Sequence, residues 1–597
     1  MLKNFWQKTF ARCGRDGNFF RIIAGTGLLL RLIYFYEFST LAHFSFAIGP
    51  DVQEYAHRAQ ELLKGLWFPG SPEIHAPLYS FFLALFLKIF AGSIPLVRLL
   101  QLLLNWFAYT AMAKLLKEIS GSAQKALWFL GFAMFTPVLF FHQAELISET
   151  LFAPLLAGFF FAVYRGDDKP HRFFAAGCWL GGLLLTHGLM IFFASAEIFW
   201  LLYHKLWRKT ILLVAGIMVL ILPVIVAKTV YYEKFTGIQG NGAFNLWLGH
   251  NPDATGGCYL RPPAWSMKLE SFRKEAAGQG IGEESLLLGK IGRFYLEQPE
   301  KLLLLPLQKL CLLTSFKEEI SGADPEYLIR KTSVQKFGAG MMGVVLTLGI
   351  AGVCFAVKKR ETAFIHFYLL AGSIASGLLL TVVSGRYRQG LMPGLLLLAA
   401  LGAYHIGKKV WLLIVPLGAA SGFMVCFITG NIGEAASITG EAYYRMKDWV
   451  RAKEHLETAA LSSFYPARFD NMLGAIAEEQ QDLAAAEKYY SHAVNSAPDD
   501  PEAFLNLGHL YFYNFPQKRQ IALHLIHEAL KRKAALPSAY NMLGQHQAQQ
   551  GDFAGALKNF ETACLYEPEN KLYQEKVKLC RVLAAEKGEK NNESGDR

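Results

Sequence analysis

Three stretches of the chain carry polar side chains of types that can do chemistry. The first contains Asp51, followed at helical spacing by Tyr55, and it ends with His75 in the sequence HAPLY. A carboxylate can accept a proton, and an imidazole can donate one or neutralise an anion. A solvated or helix-capping role is the alternative for Asp51, but the return of the segment at His75 gives this carboxylate a potential partner.

The second stretch, residues 237–259, is rich in Gly and Asn. It contains Asn245, Trp247, His250 and Asn251. The amide and imidazole groups suit sugar hydroxyls or phosphate, and the indole could stack on a sugar face. An ordinary long loop is the alternative, although ordered loops of this length usually carry function.

The third stretch, SGRYRQGLMPG at 384–394, contains Arg386 and Arg388. Guanidinium groups at a bilayer interface bind phosphate headgroups well. Side chains that merely anchor a helix at the interface are the alternative.

Apolar runs of roughly 20 residues, long enough to cross a bilayer, must position these stretches. Mean hydropathy is +0.24, with 53% hydrophobic and 18% charged residues. The clear runs lie near 22–47, 94–113, 126–142, 145–164, 210–230, 337–357, 363–383, 387–405 and 410–430. Two shorter passes fill 173–203, and 77–92 is predicted to be interfacial or re-entrant. The sequence therefore predicts an all-α, multi-span membrane domain over 22–430 with about eleven helices.

Basic residues beside the runs predict the topology. They place residues 1–21 in the cytoplasm and make 48–76 and 231–336 external loops, so that all three polar stretches lie outside. The first 430 residues have a net charge of +15, which indicates basic cytoplasmic loops and no nucleic-acid binding. About eleven spans from a cytoplasmic start place the rest of the chain outside as well.

Residues 431–585 are polar and repeat at intervals near 34 residues. Leu-Gly pairs at 473–474, 507–508 and 543–544 are followed by small and bulky residues at fixed offsets. This pattern is typical of tetratricopeptide repeats, in which Gly and Ala let two helices approach. It predicts an α-solenoid of about four repeats plus a capping helix, which binds a peptide or protein or scaffolds a complex. Residues 586–597 are predicted to be a disordered tail.

In the order Asp51 with D-x-x-x-Y-x-x-x-A, HAPLY, SETLF, NLWLGHNPDATG and RYRQGLMPG, the chain resembles the GT-C glycosyltransferases over roughly 20–430. The similarity is to the polyprenyl-phosphate-sugar-dependent enzymes of the protein O-mannosyltransferase and aminoarabinose transferase type, known as family 39. Added tetratricopeptide repeats also occur in some transmembrane O-mannosyltransferases.

The resemblance implies roles for the residues above. Asp51 would be the catalytic general base in an inverting transfer, and Arg386, Arg388 and His75 would contact the donor phosphate. The remaining expected substrate contacts are Tyr55, Asn245, Trp247, His250, Asn251, Glu145 and Glu149.

The chain departs from the family pattern at two motifs. The family often has Asp-Glu at the first motif, whereas Val52 follows Asp51 here, so any role of the second acid is either vacant or passes to Glu54, Glu145 or Glu149. The loop motif often reads GNNP, and here it is GHNP. His75, His250 and Glu145 are potential metal ligands, but their separation gives a divalent metal no support, so no metal or other cofactor is predicted.

The leading hypothesis is a glycosyltransferase that moves a sugar from a polyprenyl phosphate to an acceptor hydroxyl. The repeats favour a protein Ser or Thr as the acceptor, with a lipid or a surface glycan as the alternatives. A bacterial inner membrane with periplasmic repeats is the expected location. One alternative is an O-antigen ligase or polymerase that uses a diphosphate-linked glycan. Another is a non-catalytic membrane scaffold with protein-binding repeats.

Overall fold

The structure is a computed structural model that describes residues 16–41, 50–68, 75–165, 169–233, 235–240, 242–257, 264–314, 332–338, 340–406, 432–462 and 466–595. Within these residues the regular secondary structure is helical, and one isolated parallel β-bridge joins Gly257 to Val383. The chain divides into two compact units, Met1–Gly430 and Asn431–Arg597. The prediction of an all-α fold, with a multi-span membrane part followed by helical repeats, is confirmed.

The helices of the first unit are α1 Asp16–Ser39, α2 Pro50–Leu63, α3 Leu78–Ile89, α4 Ile94–Ser120, α5 Ala123–Phe135, α6 Pro137–Ala144, α7 Phe152–Tyr164, α8 His171–Leu184, α9 Met190–Tyr203, α10 Trp207–Tyr232, α11 Gly242–Leu248, α12 Ala264–Gln279, α13 Glu283–Glu297, α14 Lys301–Leu313, α15 Ser333–Gly338, α16 Met341–Lys359, α17 Ile365–Leu380 and α18 Met392–His405. Two short 3₁₀ helices matter for the site. Ser148–Leu151 leads into α7, and Arg386–Leu391 leads into α18.

Five helical segments of the described residues are long and apolar enough to cross a membrane. They are Gly17–Ser39, Ile94–Ser120, Trp207–Tyr232, Ser333–Lys359 and Thr362–Leu380. Helices α5 and α6 together pass the same test, although the chain bends by 57° between them. Thr136 is extended at this bend (φ −103°, ψ 94°), because the ring of Pro137 disfavours a helical conformation in the residue before it.

The predicted number of about eleven spans is larger than the five, or six with the bent pair, that the described residues support. Length explains much of the difference, since the remaining apolar helices include the short segments Leu78–Ile89, Ser148–Tyr164 and Met190–Tyr203. A helix as short as α3 rises only roughly 18 Å. The predicted span 410–430 and most of the N-terminal segment 1–21 lie outside the described residues. The side on which the repeats lie stays a prediction.

Close contacts at glycine pack the membrane helices. A Cβ added to Gly177 in α8 would lie 2.9 Å from the Cα atom of Gly216 in α10. Likewise, a Cβ on Gly352 in α16 would lie 3.1 Å from the Cα atom of Leu398 in α18. Small residues allow such backbone contact between membrane helices. The second contact fixes the helix that follows the Arg386–Leu391 turn.

The second unit consists of paired helices, as the repeat spacing predicts. They are α19 Ile432–Arg445, α20 Trp449–Ser462, α21 Pro466–Glu479, α22 Leu483–Ser496, α23 Pro501–Asn514, α24 Arg519–Arg532, α25 Pro537–Gln549, α26 Phe553–Tyr566 and the final helix α27 Lys571–Gly595. Helix α27 includes most of 586–597, where the sequence predicts a disordered tail. Lys and Glu, which favour helices, recur along this segment.

Each repeat packs a glycine of its first helix against a bulky residue of its second. The regular pairs are Gly440 with Leu456, Gly474 with Tyr490 and Gly544 with Phe560. In the irregular repeat Gly508 packs against Ile526, two positions later than the regular spacing. The 3₁₀ turn Pro516–Lys518 lies between these helices and accommodates the longer spacing.

Candidate active site

Asp51 lies in the first turn of α2, and its carboxylate forms an ion pair with the guanidinium group of Arg386. Nε2 of His75 lies 3.8 Å from the other carboxylate oxygen. One partner precedes α3 and the other begins the turn before α18, so three distant segments converge. The carboxylate therefore has two basic partners, which distinguishes it from an isolated helix cap.

Arg386 also connects Asp51 to a second carboxylate. Its Nε lies 3.4 Å from Oε1 of Glu149, and its Nη2 donates a hydrogen bond to the hydroxyl of Tyr387 at 3.2 Å. Glu149 is buried in the 3₁₀ helix Ser148–Leu151. The SETLF and RYRQGLMPG motifs therefore meet at one guanidinium group.

The residues of α2 that share a face with Asp51 complete the cluster. Nε2 of His75 lies 3.3 Å from Oε2 of Glu54, and its ring is 4.8 Å from the ring of Tyr55. Val52, in contrast, is buried in the hydrophobic cluster between α2 and α3. The acids that lie near Asp51 are therefore Glu54 and Glu149. Glu54 is expected there because residues three apart on a helix share a face.

The charges in this cluster set its protonation. Burial alone would raise the pKa of Asp51, but the positive charges of Arg386 and His75 outweigh burial and hold that pKa below its ordinary value. Burial alone would lower the pKa of His75, but the hydrogen bond with Glu54 and the charge of Asp51 raise it above its ordinary value. At neutral pH Asp51 is ionised, and a larger fraction of His75 is cationic than of an ordinary histidine.

A cleft adjoins this cluster and contains about 290 Å³ of space not occupied by atoms, including solvent at its mouth. Its lining includes Tyr55, His75, Glu149, His187, Asn245 and Arg386. Polar groups from the first outer segment, the 3₁₀ helix Ser148–Leu151, the turn at His187, the external loop and the turn at Arg386 thus line one cleft.

Sequence reasoning missed His187 and Gln239 as lining residues. Oε1 of Gln239 accepts a hydrogen bond from the N–H of Gly188 at 3.1 Å, which joins the external loop to the turn between α8 and α9. The ring of His187 contacts that of Tyr387 at 4.8 Å. Burial lowers the pKa of His187 to about 4, so its ring is neutral at physiological pH. A polar turn between two apolar helices is the signal that points to it.

The predicted sugar-binding loop divides between two roles. Asn245 lines the cleft, but Trp247 packs into a hydrophobic cluster with aromatic residues of α11 and α12. Nδ2 of Asn251 donates to the carbonyl of Trp247 at 2.9 Å, and Oδ1 accepts from the N–H of Asp253 at 2.9 Å. The structure therefore does not bring Trp247 or Asn251 to the cleft, because local packing and a local turn occupy their side chains.

His250 and Arg388 also lie apart from the described lining of the cleft. Nε2 of His250 lies 2.7 Å from the carbonyl oxygen of Leu380, at the end of α17. Nη1 of Arg388 donates to the carbonyl of Leu313 at 3.3 Å. In a 3₁₀ helix with three residues per turn, residues 386 and 388 leave the axis in different directions.

Glu145 lies in a further cluster, where Oε2 is 3.8 Å from Nη1 of Arg98. The three potential metal ligands His75, His250 and Glu145 are therefore in separate places. Across the part of the chain that the structure describes, no three or more His, Cys, Asp or Glu side chains form a group that could hold a metal ion.

Comparison with known families agrees with both resemblances. A family model described as dolichyl-phosphate-mannose-protein mannosyltransferase matches residues 74–231, and a tetratricopeptide-repeat model matches residues 439–501 and 505–569. The first match includes His75, Glu149 and His187 of the cleft. The resemblance to a GT-C transferase of the mannosyltransferase type followed by tetratricopeptide repeats is confirmed.

These matches support a membrane glycosyltransferase of mannosyltransferase-like type that uses a lipid-linked sugar, with repeats suited to protein–protein interaction. No curated protein matches the chain. Among solved structures, the crystal structure of the APC/C hetero-tetramer Cut9-Hcn1 is similar at 12% identity and a TM-score of 0.25, over 82% of this chain and 95% of that chain.

Proposed function

We propose that the first unit transfers a sugar from a polyprenyl-phosphate carrier to an acceptor hydroxyl on the outer side of the membrane. The convergence of Asp51, His75, Glu149 and Arg386 beside one cleft carries this proposal. The carboxylates supply a base for the acceptor, and the cations supply positive charge for a phosphate. The match to a mannosyltransferase family supports the same class of reaction.

In the proposed reaction Asp51 is the general base. It takes the proton of the acceptor hydroxyl while that oxygen attacks the anomeric carbon from the face opposite the phosphate. The bond between the anomeric carbon and the phosphate oxygen breaks, its electron pair leaves with the phosphate monoester, and the configuration inverts. Because a phosphate monoester is a weak base, it needs neutralisation of charge more than protonation.

Arg386 is the side chain best suited to that phosphate. Nη1 and Nη2 each carry two hydrogens, and in the described structure Nη1 contacts Asp51 while Nη2 contacts Tyr387. One N–H on each terminal nitrogen is left for phosphate oxygens, in the fork geometry that guanidinium offers. Protonated His75 adds a second positive charge, and Glu149 orients the guanidinium.

Some predicted contacts are left out of the proposal. The side chains of Arg388, Trp247 and Asn251 are bonded or packed elsewhere, whereas Tyr55 and Asn245 line the cleft and remain proposed substrate contacts. No metal or other cofactor takes part in the proposed steps.

The acceptor that we propose is a Ser or Thr hydroxyl of a protein recruited by the repeats. Tetratricopeptide solenoids present extended surfaces for polypeptides. A bacterial inner membrane, with the repeats in the periplasm, is the location that fits the predicted topology. A lipid-linked donor and a protein acceptor would then meet on the same side of the membrane.

The donor class can be tested with the full-length protein in proteoliposomes. We expect transfer of label from a polyprenyl-monophosphate mannose, and no transfer from a polyprenyl-diphosphate oligosaccharide. EDTA is expected to leave the rate unchanged. Use of the diphosphate donor alone would favour a ligase or polymerase, and absence of transfer from either donor would contradict the proposed function.

A further inference from the structure

We infer that Lys309 and His250 are positioning residues that hold the link between α17 and Arg386. This link, residues 381–385, is called the 381–385 connection below. The inference rests on the proposed role of Arg386 in sugar transfer, and it concerns two side chains that lie apart from the described lining of the cleft. It gives a role to a lysine that no sequence motif pointed to.

Lys309 is a fully buried cation in the mostly apolar helix α14. Its Nζ lies 2.5 Å from the carbonyl oxygen of Thr381, just after the end of α17. A buried ammonium group is costly unless it is hydrogen-bonded, and a cation is favourable at the C-terminal end of a helix. Burial lowers the pKa of Lys309 to about 8, so the side chain is still mostly protonated at neutral pH.

His250 binds the neighbouring carbonyl. Its Nε2 lies 2.7 Å from the oxygen of Leu380 and 3.1 Å from Nζ of Lys309, and its Nδ1 contacts the hydroxyl of Tyr295. A neutral imidazole has one N–H. The arrangement that fits these contacts has Nε2–H donating to Leu380, the hydroxyl of Tyr295 donating to Nδ1, and Lys309 donating to Thr381.

The backbone of the loop lies directly against the 381–385 connection. The N–H of Val383 donates to the carbonyl of Gly256 at 3.0 Å. Gly256 has φ +92°, and a Cβ there would lie 3.2 Å from Cγ of Lys309. A Cβ on Gly249 would lie 2.8 Å from the carbonyl carbon of Thr381. Gly256 therefore needs to be glycine both for its positive φ and for the close approach of Lys309. Gly249 needs to be glycine for the close approach of Thr381.

These contacts hold the chain immediately before Arg386. Leu380, Thr381 and Val383 are each bonded to the loop or to α14, and Arg386 begins the next 3₁₀ turn. Its guanidinium must reach Asp51 and Glu149 together, so a small shift of the connection moves it relative to the donor. A misplacement of about 1 Å can lower a rate on the order of 10²-fold. The GHNP motif thus contributes by shaping this connection.

The test compares Lys309→Met with Lys309→Arg and with Lys301→Met, a matched change on the same helix. Steady-state transfer from polyprenyl-monophosphate mannose is measured per folded full-length protein in proteoliposomes. We expect Lys309→Met to lower kcat by roughly 10- to 100-fold, with a smaller change in the KM for donor. Lys309→Arg should restore much of the rate, and Lys301→Met should resemble the wild type.

Amide hydrogen exchange on the same proteins gives a readout that does not depend on activity. Lys309→Met and His250→Ala should each accelerate exchange at Val383, while Lys301→Met should not. Unchanged exchange at Val383, or faster exchange with an unchanged kcat, would overturn the inference. A wild-type protein without transferase activity would overturn the proposed function alone, and exchange would still decide whether the two side chains hold the connection.

Discussion

The side chains around Asp51 and the side chains of Trp247 and Asn251 in the large external loop have different kinds of partners. Asp51 and Arg386 bind each other across a long separation in the sequence. Asn251, in contrast, bonds to the backbone four residues before it, and Trp247 packs within the loop. Bonds inside a local turn use up the groups that a ligand would need. Ion pairs between distant segments instead leave charged groups at the site that a substrate can also contact.

The sharpest test of this difference is Asp51→Asn, for which we expect the largest loss. The amide keeps the size of the side chain but cannot accept the acceptor proton, so kcat should fall by on the order of 10²–10⁴-fold. Transfer in proteoliposomes measures the effect. Glu61→Gln on the same helix, where Glu61 pairs with His57 and Arg58, is the control and should stay active.

Arg386→Met should cause the next largest loss. It removes the group that we propose neutralises the departing phosphate, and the loss of one such donor commonly costs about 10²–10³-fold. Arg386→Lys keeps the charge without the fork and should recover only part of kcat/KM. If Arg386→Met kept full activity with the monophosphate donor, the cleft would lose its proposed phosphate site.

His75→Gln should change the pH profile and lower the rate by about 10-fold at pH 6. The pKa of His75 is raised above its ordinary value, so its cation is present below that pKa and is lost as the pH rises through it. The wild-type rate should therefore decline on the alkaline side, and His75→Gln should lack this decline. His57→Gln, at an exposed position of α2, should keep the wild-type profile.

Trp247→Phe should have the smallest effect on transfer, within about 3-fold, because the indole packs inside the loop. The change leaves a cavity, so the stability of the loop should decrease while the rate of transfer changes little. Hydrogen exchange in α12 and α13 should become faster. A loss of activity comparable with that of Asp51→Asn would show that Trp247 touches the sugar after all and would remove the contrast between the two regions.

The sequence predicted the repeat packing in detail because that packing is local. Gly474 and Tyr490 stand at a fixed spacing, and a single helix pair brings them together. Residues 126–142, in contrast, were predicted as one continuous span, and the bend within them was not predicted. Apolar content alone does not show that Pro137 keeps Thr136 out of a helical conformation. The predicted eleven spans and the five or six that the described residues support differ for a similar reason, since hydropathy does not show where each turn ends a helix.

The candidate site was predictable in its charged residues but not in its partners. Asp51, His75 and Arg386 stood out as charges in outer segments, whereas the pairing of Arg386 with Glu149 depends on the fold. Lys309 was missed because a lysine in a mostly apolar helix resembles an anchor at a membrane surface. Its contact with Thr381 becomes visible only when α14 is packed beside the end of α17.

The most direct test of the central claim is a cryo-EM structure of the full-length Asp51→Asn protein in nanodiscs with polyprenyl-monophosphate mannose. The substitution is expected to slow turnover strongly, so the donor stays bound. We predict phosphate oxygens about 3 Å from the guanidinium of Arg386, with the anomeric carbon facing position 51 inside the cleft. A donor phosphate bound instead at Arg388, or beside His250 and Lys309, would contradict the account.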